Sequence, residues 1–269
     1  MERRTFLRSA FGTTLMAAAG GSAHGQAPGT NQEAAPEFYV WRQFIIRNGT
    51  QPRRLADFLQ NAAIPALNRL GHKPVGVFEV VAGVPAPTVF VLTPSASLDK
   101  IAAIEPGLER DAEFMKSAAS YLDAPVSDPV YVRQEVSLLA AFPNVPRIEI
   151  PAATATNGPR LFELRTYESH NERAHRMKTR MFTEMGEVDI FRRVGLTPVF
   201  FSRTIVGPRM PNLVYMLVHE NLAARDKSWN AFRNDPEWKK LAGTAGYSDA
   251  EIVTNITTVL LRPAAYSQI

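Results

Sequence analysis

Two stretches of seven residues decide the fold of this chain: FYVWRQF at positions 38–44 and LFELRTY at positions 161–167. In the second stretch, mainly apolar side chains alternate with mainly polar ones, which is the pattern of a β-strand. Each stretch is followed by a second segment, and these two segments also match each other: LNRLGHKPV at 67–75 in the first half and FRRVGLTPV at 191–199 in the second. The arginine of the strand and the glycine that follows are 29 residues apart in the first half and 30 in the second. This near-equal spacing indicates two tandem copies of one unit.

Each copy is predicted to fold in the order β-α-β-β-α-β. After the strand at 38–44, the first half has predicted helices at 55–70 and 111–121, and strands at 75–81, 88–92 and 131–139. The second half has predicted strands at 161–167, 199–206, 213–219 and 251–261, and helices at 174–191 and 222–232. Such units form a ferredoxin-like sheet with helices on one face. The other face must be covered, so we expect an α+β protein in which two ferredoxin-like units form an intrachain pseudo-dimeric α/β barrel.

The first residues resemble an export signal. The pattern RRTFLR at 3–8 is followed by a weakly apolar stretch at 10–20 and by small residues before a cleavage point after Gly25. This order predicts a twin-arginine signal peptide over residues 1–25 and a periplasmic or extracellular protein. The apolar stretch is too short to span a bilayer, so we expect no stable membrane insertion after cleavage.

Composition divides the remaining chain and excludes several classes of function. A polar leader is predicted at 26–36, the first barrel half at 37–142, a proline-containing linker at 143–160 and the second half at 161–269. The net charge is only +4 and the basic residues are scattered, so no nucleic-acid partner is expected. The chain has no cysteine, which excludes disulfides and thiolate chemistry. It has no Walker, dinucleotide or nucleophile-elbow motif, and no metal site is predicted.

Three motifs in the second half carry a family resemblance. They are FELRTY at 162–167, NLVYML at 212–217 running into LAAR at 222–225, and WNAFRNDPEW at 229–238. Together they resemble the NIPSNAP family over most of 161–262, and the first half matches only in outline, as a degenerate copy. The resemblance implies a dimeric α/β-barrel fold and a largely undefined biochemical activity. Near Tyr215 and Leu217, where family members tend to carry His and Trp, this chain has neither.

The strand at 161–167 supplies the main candidate site. Its alternation places Glu163, Arg165 and Tyr167 on one face, which we expect to point into the barrel while the apolar face packs on the helices. Arg42 holds the equivalent inward position in the first half. A buried arginine needs a partner, and Glu163 is the nearest candidate. This predicts either an Arg–Glu pair that only fixes the sheet register, or an anion or carbonyl site with arginine and tyrosine donors.

Three more side chains are candidates for the same wall. Tyr215 and His219 share one face of the strand at 213–219. His219 could act as a general base oriented by Glu163 or Glu220, although histidines at strand ends are more often only hydrogen-bonded or solvated. Arg203 either adds positive charge to a pocket or lies exposed at an edge.

The halves have diverged at the inward positions, and this predicts a lopsided site. The first half has Val40 and Phe44 where the second has Glu163 and Tyr167, so the site is expected on the second-half wall.

Three functions fit these features. The first is binding of a small apolar or carboxylate ligand in the barrel interior. The second, by analogy with other dimeric α/β barrels, is cofactor-independent monooxygenation or haem handling. The third is a scaffold module with a packed interior. An interior cavity above about 300 Å³ would favour the first two, and a filled interior the third. The sequence requires no cofactor but leaves haem open, and it allows a homodimer formed through the helix faces.

Overall fold

Eight strands form a closed barrel in a computed structural model that describes residues 35–84 and 87–269. The predicted signal peptide and all but the last two residues of the predicted leader lie outside these described residues. Within the described ranges, no helix is long and apolar enough to cross a membrane.

The two halves contain the same succession of strands and helical regions. The first half comprises β1 (Phe38–Ile45), α1 (Gln51–Phe58), a π-helical turn (Leu59–Ala63), α2 (Ile64–Arg69), β2 (Gly76–Ala82), β3 (Thr88–Ser95), α3 (Leu98–Ala102), α4 (Ile104–Arg110), α5 (Ala112–Ser117), α6 (Ala119–Leu122) and β4 (Arg133–Ala141). A short 3₁₀ helix (Ala152–Thr154) interrupts the connection between the halves. The second half comprises β5 (Leu161–Glu168), α7 (Glu172–Thr183), α8 (Glu187–Arg193), β6 (Thr197–Val206), β7 (Asn212–His219), α9 (Leu222–Asn234), α10 (Pro236–Ala242), α11 (Asp249–Ile252) and β8 (Asn255–Pro263).

The strand order confirms the predicted pseudo-dimeric barrel. The first half gives a sheet in the order β4-β1-β3-β2, and the second gives the corresponding order β8-β5-β7-β6. Antiparallel pairing of β2 with β8, and of β4 with β6, joins the two sheets into one closed barrel. Closure leaves one face of every strand inside the barrel and the other beneath the helices.

The matching segments at 67–75 and 191–199 end their helices in the same way. Gly71 and Gly195 have φ angles of +87° and +83°. In the first half, the amide of His72 donates to the carbonyl of Leu67, and in the second half the amide of Leu196 donates to the carbonyl of Phe191, both at 2.9 Å. The amide of each glycine also donates to the carbonyl of the residue three positions earlier. Together these hydrogen bonds form a Schellman motif in each half. The repeat recognised in the sequence is therefore a repeated helix end.

Helices are more interrupted than predicted. The predicted helix at 174–191 is two helices, because Gly186, with φ of +85°, lies between α7 and α8. The predicted helix at 111–121 is the end of a run of four short helices at 98–122. The predicted start of the last strand is instead the short helix α11, where Ser248 and Glu251 form a capping box.

The helix of the first half also widens at Leu59–Ala63. There the amide of Ile64 donates to the carbonyl of Leu59, five residues back. Pro65 follows at once and has no amide hydrogen to donate. Such π-helical turns are rare and occur often at functional sites.

Apolar side chains from the strands fill the barrel interior. The buried cluster includes six aromatic residues: Tyr39, Trp41, Phe78, Phe90, Phe162 and Phe200. The space left at one mouth of the barrel is a cavity of about 50 Å³, beside Trp41 and Leu164. This volume is far below what a small organic ligand occupies, so the predicted ligand site in the barrel interior is wrong.

The predicted orientation of the strands is also wrong. Phe162 and Leu164 belong to the barrel interior, whereas Tyr167 packs with the side chains of the helices. In β1, Tyr39 and Trp41 point inward and Phe44 packs under the helices. The cause is that both faces of each strand are covered. The apolar side chains of each strand fill the narrow interior, and the helices on the other face supply hydrogen-bond partners for its polar side chains.

Candidate functional site

A cavity of about 790 Å³ lies between the sheet and the helices of the first half. Its floor is made by the outward-facing side chains of β1, β3 and β4, including Val40, Arg42, Phe44, Val91, Gln134 and Val136. Its roof and walls come from the helical segments, including Phe58, Leu59, Leu67, Ile104, Phe114 and Tyr121. Most of the lining is apolar or aromatic, and Leu59 of the π-helical turn is part of it. The cavity has the size and the character of a small-molecule pocket.

Arg42 is the one cation in the lining of this cavity. Among the described residues it has no ion-pair partner, and its Nε is buried without a hydrogen bond. Burial lowers the pKa of Arg42, and charge interactions with Tyr121 and Glu105 partly oppose this effect. A guanidinium held in an apolar space without an anion is unfavourable. The floor of the cavity therefore offers an unused anion-binding group.

Glu163 is the centre of a saturated polar cluster in the second half. Its side chain is 0 % exposed. The guanidinium of Arg225 donates to its two oxygens at 2.9 and 2.8 Å, and Trp229 Nε1 donates at 2.8 Å. Arg165 Nη1 donates at 3.1 Å, and His219 Nε2 lies 3.2 Å from Oε2. Every lone pair of the carboxylate is thus engaged, which leaves no position for a ligand.

This arrangement keeps Glu163 ionised. Burial alone would raise the pKa of Glu163, but hydrogen bonds from His219, Arg225 and Trp229 lower it to about 2. The guanidinium of Arg165 also lies 4.5 Å from the ring centre of Trp229, a cation–π contact. The cluster resembles a structural ion network rather than a catalytic base awaiting a substrate.

Two tyrosines extend this cluster. Arg165 Nη2 donates to the hydroxyl of Tyr167 at 3.1 Å, and the hydroxyl of Tyr215 donates to the same oxygen at 3.1 Å. Tyr215 is completely buried, and burial raises the pKa of its hydroxyl well above its usual value. Neither tyrosine lines the first-half cavity.

A buried lysine fills the rest of the space under the helices of the second half. Lys178 Nζ lies 3.3 Å from both oxygens of Glu187 and 3.0 Å from Asp249 Oδ1. Burial would lower the pKa of Lys178, but the two carboxylates outweigh it and raise it. Burial raises the pKa of Glu187, against the attraction of Lys178.

The structure brings together five of the residues predicted for the site. Glu163, Arg165, Tyr167, Tyr215 and His219 form one contiguous cluster, as predicted, but they lie under the helices and not in the barrel. Arg42 lies in the cavity of the first half, and Arg203 lies on a separate groove beside α7. The open cavity is therefore on the first half, opposite to the expected second-half wall.

Several residues that complete these clusters were missed at the sequence level. Arg225 and Trp229 are four residues apart, so they lie on one face of α9, and this spacing could have paired them with Glu163. Lys178 follows Ala174 by four positions and precedes Met181 by three, which places it on the buried stripe of α7. A lysine on an apolar stripe is a signal that a buried carboxylate is close.

The lining of the first-half cavity does not fit a haem with a protein axial ligand. Among the described residues no histidine lines the cavity. The lining also contains Met115, but methionine serves as a haem ligand together with a histidine, which leaves Tyr121 as the candidate iron ligand. Tyr121 is stacked on Phe58 with ring centres 3.6 Å apart, and burial raises the pKa of its hydroxyl, which opposes the phenolate that would bind iron. Within the described ranges, no group of three metal-ligating side chains comes together either.

Comparison with known proteins supports the fold and the family. A family model described as NIPSNAP matches residues 162–268. No curated protein matches the chain. In structure, the chain is similar to a monooxygenase-like protein from Lactobacillus acidophilus NCFM, with a TM-score of 0.56, 10% identity, and coverage of 85% of this chain and 94% of that one.

Two NIPSNAP proteins of known structure are similar to part of the chain. A NIPSNAP-like domain protein from Burkholderia xenovorans has a TM-score of 0.35 and 18% identity, and the match covers 40% of this chain and 88% of that one. A NIPSNAP family protein from Agrobacterium tumefaciens strain C58 has a TM-score of 0.35 and 15% identity, covering 40% and 96%. The chain therefore has the dimeric α/β-barrel fold, closed by both of its halves, and its residues 162–268 match the NIPSNAP family.

Proposed function

We propose that this chain is an exported binding protein for an apolar carboxylate, which it holds in the first-half cavity with Arg42. One observation carries the proposal: Arg42 lies in a cavity of about 790 Å³ with a buried Nε that has no partner among the described residues. A carboxylate would satisfy the guanidinium with two parallel hydrogen bonds.

The lining indicates the chemical class of the rest of the ligand. Phe44, Phe58, Phe114 and Tyr121 surround the space together with aliphatic side chains. An aromatic or aliphatic body gains free energy when it leaves water for such a lining. Glu105 and Glu109 are the other charged groups of the lining. They disfavour a second negative charge, so the ligand is a monocarboxylate.

Calorimetry with a matched pair of probes tests this proposal. The probe is 1-pyrenebutyrate, and 1-pyrenebutanol is its neutral counterpart. We expect the wild-type protein to bind the carboxylate about 10- to 100-fold more tightly than the alcohol, because a charge-assisted pair forms only with the carboxylate. Arg42→Met should abolish this preference and leave the binding of the alcohol unchanged. Arg47→Met removes an exposed arginine from the same segment and should change neither affinity.

Two results would contradict the proposal. One is equal affinity of the wild-type protein for the acid and the alcohol. The other is an unchanged preference for the acid in Arg42→Met, which would place the anion elsewhere. Arg165→Met provides a further comparison, because Arg165 holds the equivalent position but already has Glu163 as partner. Its preference for the acid should match that of the wild type.

Oxygenation of the bound ligand is a second candidate function. The monooxygenase-like protein from Lactobacillus acidophilus has a similar fold over most of both chains. The first-half cavity is also large enough for a small aromatic acid together with dioxygen. Mass spectrometry of a phenolic carboxylate recovered after incubation in air tests this. A gain of one oxygen atom with a loss of two hydrogens, absent under nitrogen, supports oxygenase chemistry, because the ligand itself then supplies the two electrons that reduce the second oxygen atom of dioxygen to water. An unchanged mass, with binding intact, leaves binding as the function.

A further inference from the structure

A second space, of about 660 Å³, lies between α7 and β6 in the second half. We call it the α7–β6 groove, and its main polar residues are His175, Arg176, Thr179 and Arg203. It shares no lining residue with the first-half cavity. Whatever it binds is therefore independent of the ligand proposed above.

The α7–β6 groove has an excess of positive charge. Among the described residues, neither Arg176 nor Arg203 has a hydrogen bond or an ion pair from its side chain. The third arginine of the lining, Arg180, is already bound to Glu184 at 2.7 Å. Glu172 is the remaining acid. Two unengaged guanidinium groups thus face one carboxylate.

Two buried polar atoms in the groove have no hydrogen-bond partner within the described ranges. They are Nδ1 of His175 and Oγ1 of Thr179. The two residues are four positions apart on α7, so their side chains lie on the same face of the helix. Buried polar atoms of this kind are nearly always satisfied by a partner, and the Thr179 hydroxyl, and Nδ1 of His175 in the tautomer that carries its proton there, can each donate to an anionic oxygen.

We infer that the α7–β6 groove binds the phosphoryl group of a small phosphate monoester. Arg176 and Arg203 supply the charge, and Thr179 and His175 donate hydrogen bonds to the remaining oxygens. Met210 and Pro211 form an apolar part of the same lining, where the organic group of the ester can pack. This apolar part distinguishes an ester from free phosphate.

The experiment is a titration with inorganic phosphate and with phenyl phosphate, followed by calorimetry, in wild type and three variants. Phenyl phosphate should bind more tightly than phosphate. Arg203→Gln should weaken both about tenfold or more, and Thr179→Val, which keeps the charge and the shape, should weaken both about fivefold. Arg173→Gln removes an exposed arginine of α7 that does not line the groove, and it should leave both affinities unchanged.

Three results would overturn this inference. Equal weakening by Arg173→Gln and Arg203→Gln would show attraction by the general charge of the helix. Unchanged binding in Thr179→Val would show that the anion does not enter the groove. Equal affinity for phosphate and phenyl phosphate would show that the organic group makes no contact, and would replace the ester by free phosphate. Binding of 1-pyrenebutyrate to Arg203→Gln stays at the wild-type value whichever result is found.

Discussion

Arg42 and Arg165 occupy equivalent positions on β1 and β5, and only Arg165 has a carboxylate within hydrogen-bonding distance. Two residues before each arginine, the first half has Val40 and the second has Glu163. With Arg225 and Trp229, Glu163 makes Arg165 part of a packed ion network, whereas Arg42 lies at the floor of a cavity.

The first prediction follows from the unpaired charge of Arg42. Arg42→Met should raise the free energy of unfolding of the ligand-free protein by about 1 kcal/mol, because it removes a partly buried cation whose buried Nε has no partner among the described residues. Urea unfolding at pH 7 measures this. Arg165→Met serves as the comparison and should lower the stability, since it leaves a buried carboxylate with fewer donors. Destabilisation of similar size in both variants would show that Arg42 is also paired.

The second prediction concerns acid stability. The pKa of Glu163 is lowered from 4.5 to about 2 in the folded chain. Its contribution is therefore fully present above pH 4.5 and is lost as the pH falls toward 2, and it amounts to about 3 kcal/mol. Glu163→Gln should cost at least this much at pH 7, and the difference from wild type should shrink below pH 4.5. Glu149→Gln, at a carboxylate that is 38% exposed in its pair with Arg192, should change stability by less than about 1 kcal/mol when measured in parallel by urea unfolding.

The third prediction concerns the buried pair of Lys178 and Glu187. Lys178→Met alone should cost about 3–5 kcal/mol, because it leaves a carboxylate buried without its cation. The double variant Lys178→Met/Glu187→Met should be closer in stability to wild type than either single variant. A double-mutant cycle from chemical unfolding gives the coupling. Additive losses would mean that the two side chains do not interact in solution.

The fourth prediction separates the barrel interior from the ligand site. Phe162 is completely buried in the interior, with its ring centre 4.9 Å from that of Phe78. Phe162→Ala should cost about 3–5 kcal/mol through the cavity it creates. The affinity for 1-pyrenebutyrate should not change, because the proposed ligand site lies on the other side of the sheet. A large loss of affinity in a variant that is still folded would return the ligand to the barrel interior.

The fifth prediction concerns export. Replacing Arg3 and Arg4 together by lysine should stop transport, because the twin-arginine route reads this pair. Arg8→Lys keeps the pair and should be transported normally. Immunoblots of cytoplasmic and periplasmic fractions measure the distribution. Normal transport of the Arg3→Lys/Arg4→Lys variant would rule out this route.

Most of the fold follows from local signals. The alternation at 161–167 identifies a strand that extends only one residue further, to Glu168. The backbone is left-handed at Gly71 and Gly195, where the last helix before the second strand of each half ends, and this conformation favours glycine. The two glycines therefore mark the same point in both copies. Repetition of the element order then suffices to predict a closed barrel, because one ferredoxin-like sheet cannot cover both of its own faces.

The orientation of the strands could not be predicted in the same way. Alternation shows that Glu163 and Phe162 lie on opposite faces, but both faces are buried in a barrel covered by helices. The partners that decide the question, Arg225 and Trp229, are more than 60 residues further along the chain. A charged side chain can be buried on the helix side only because these donors arrive there.

The empty space of the first half could not be predicted either. A cavity is a property of how far the short helices at 98–122 stand from the sheet, and the same apolar residues would also make a filled core. What the sequence does show is that the residue two positions before Arg42 is Val40, whereas the residue two positions before Arg165 is Glu163. The lone arginine on a strand that lies under helices is the signal behind the proposed anion site.

The two seams of the barrel, β2 with β8 and β4 with β6, have a further consequence. In a barrel built from two identical chains, every substitution enters both subunits at once, so a charge network that fills one pocket fills the other. Here the two halves belong to one chain and differ in sequence, so a substitution changes only the half in which it lies. The second half can therefore hold a packed ion network while the first half keeps a cavity, which a symmetric dimer with the same network in both subunits would lose.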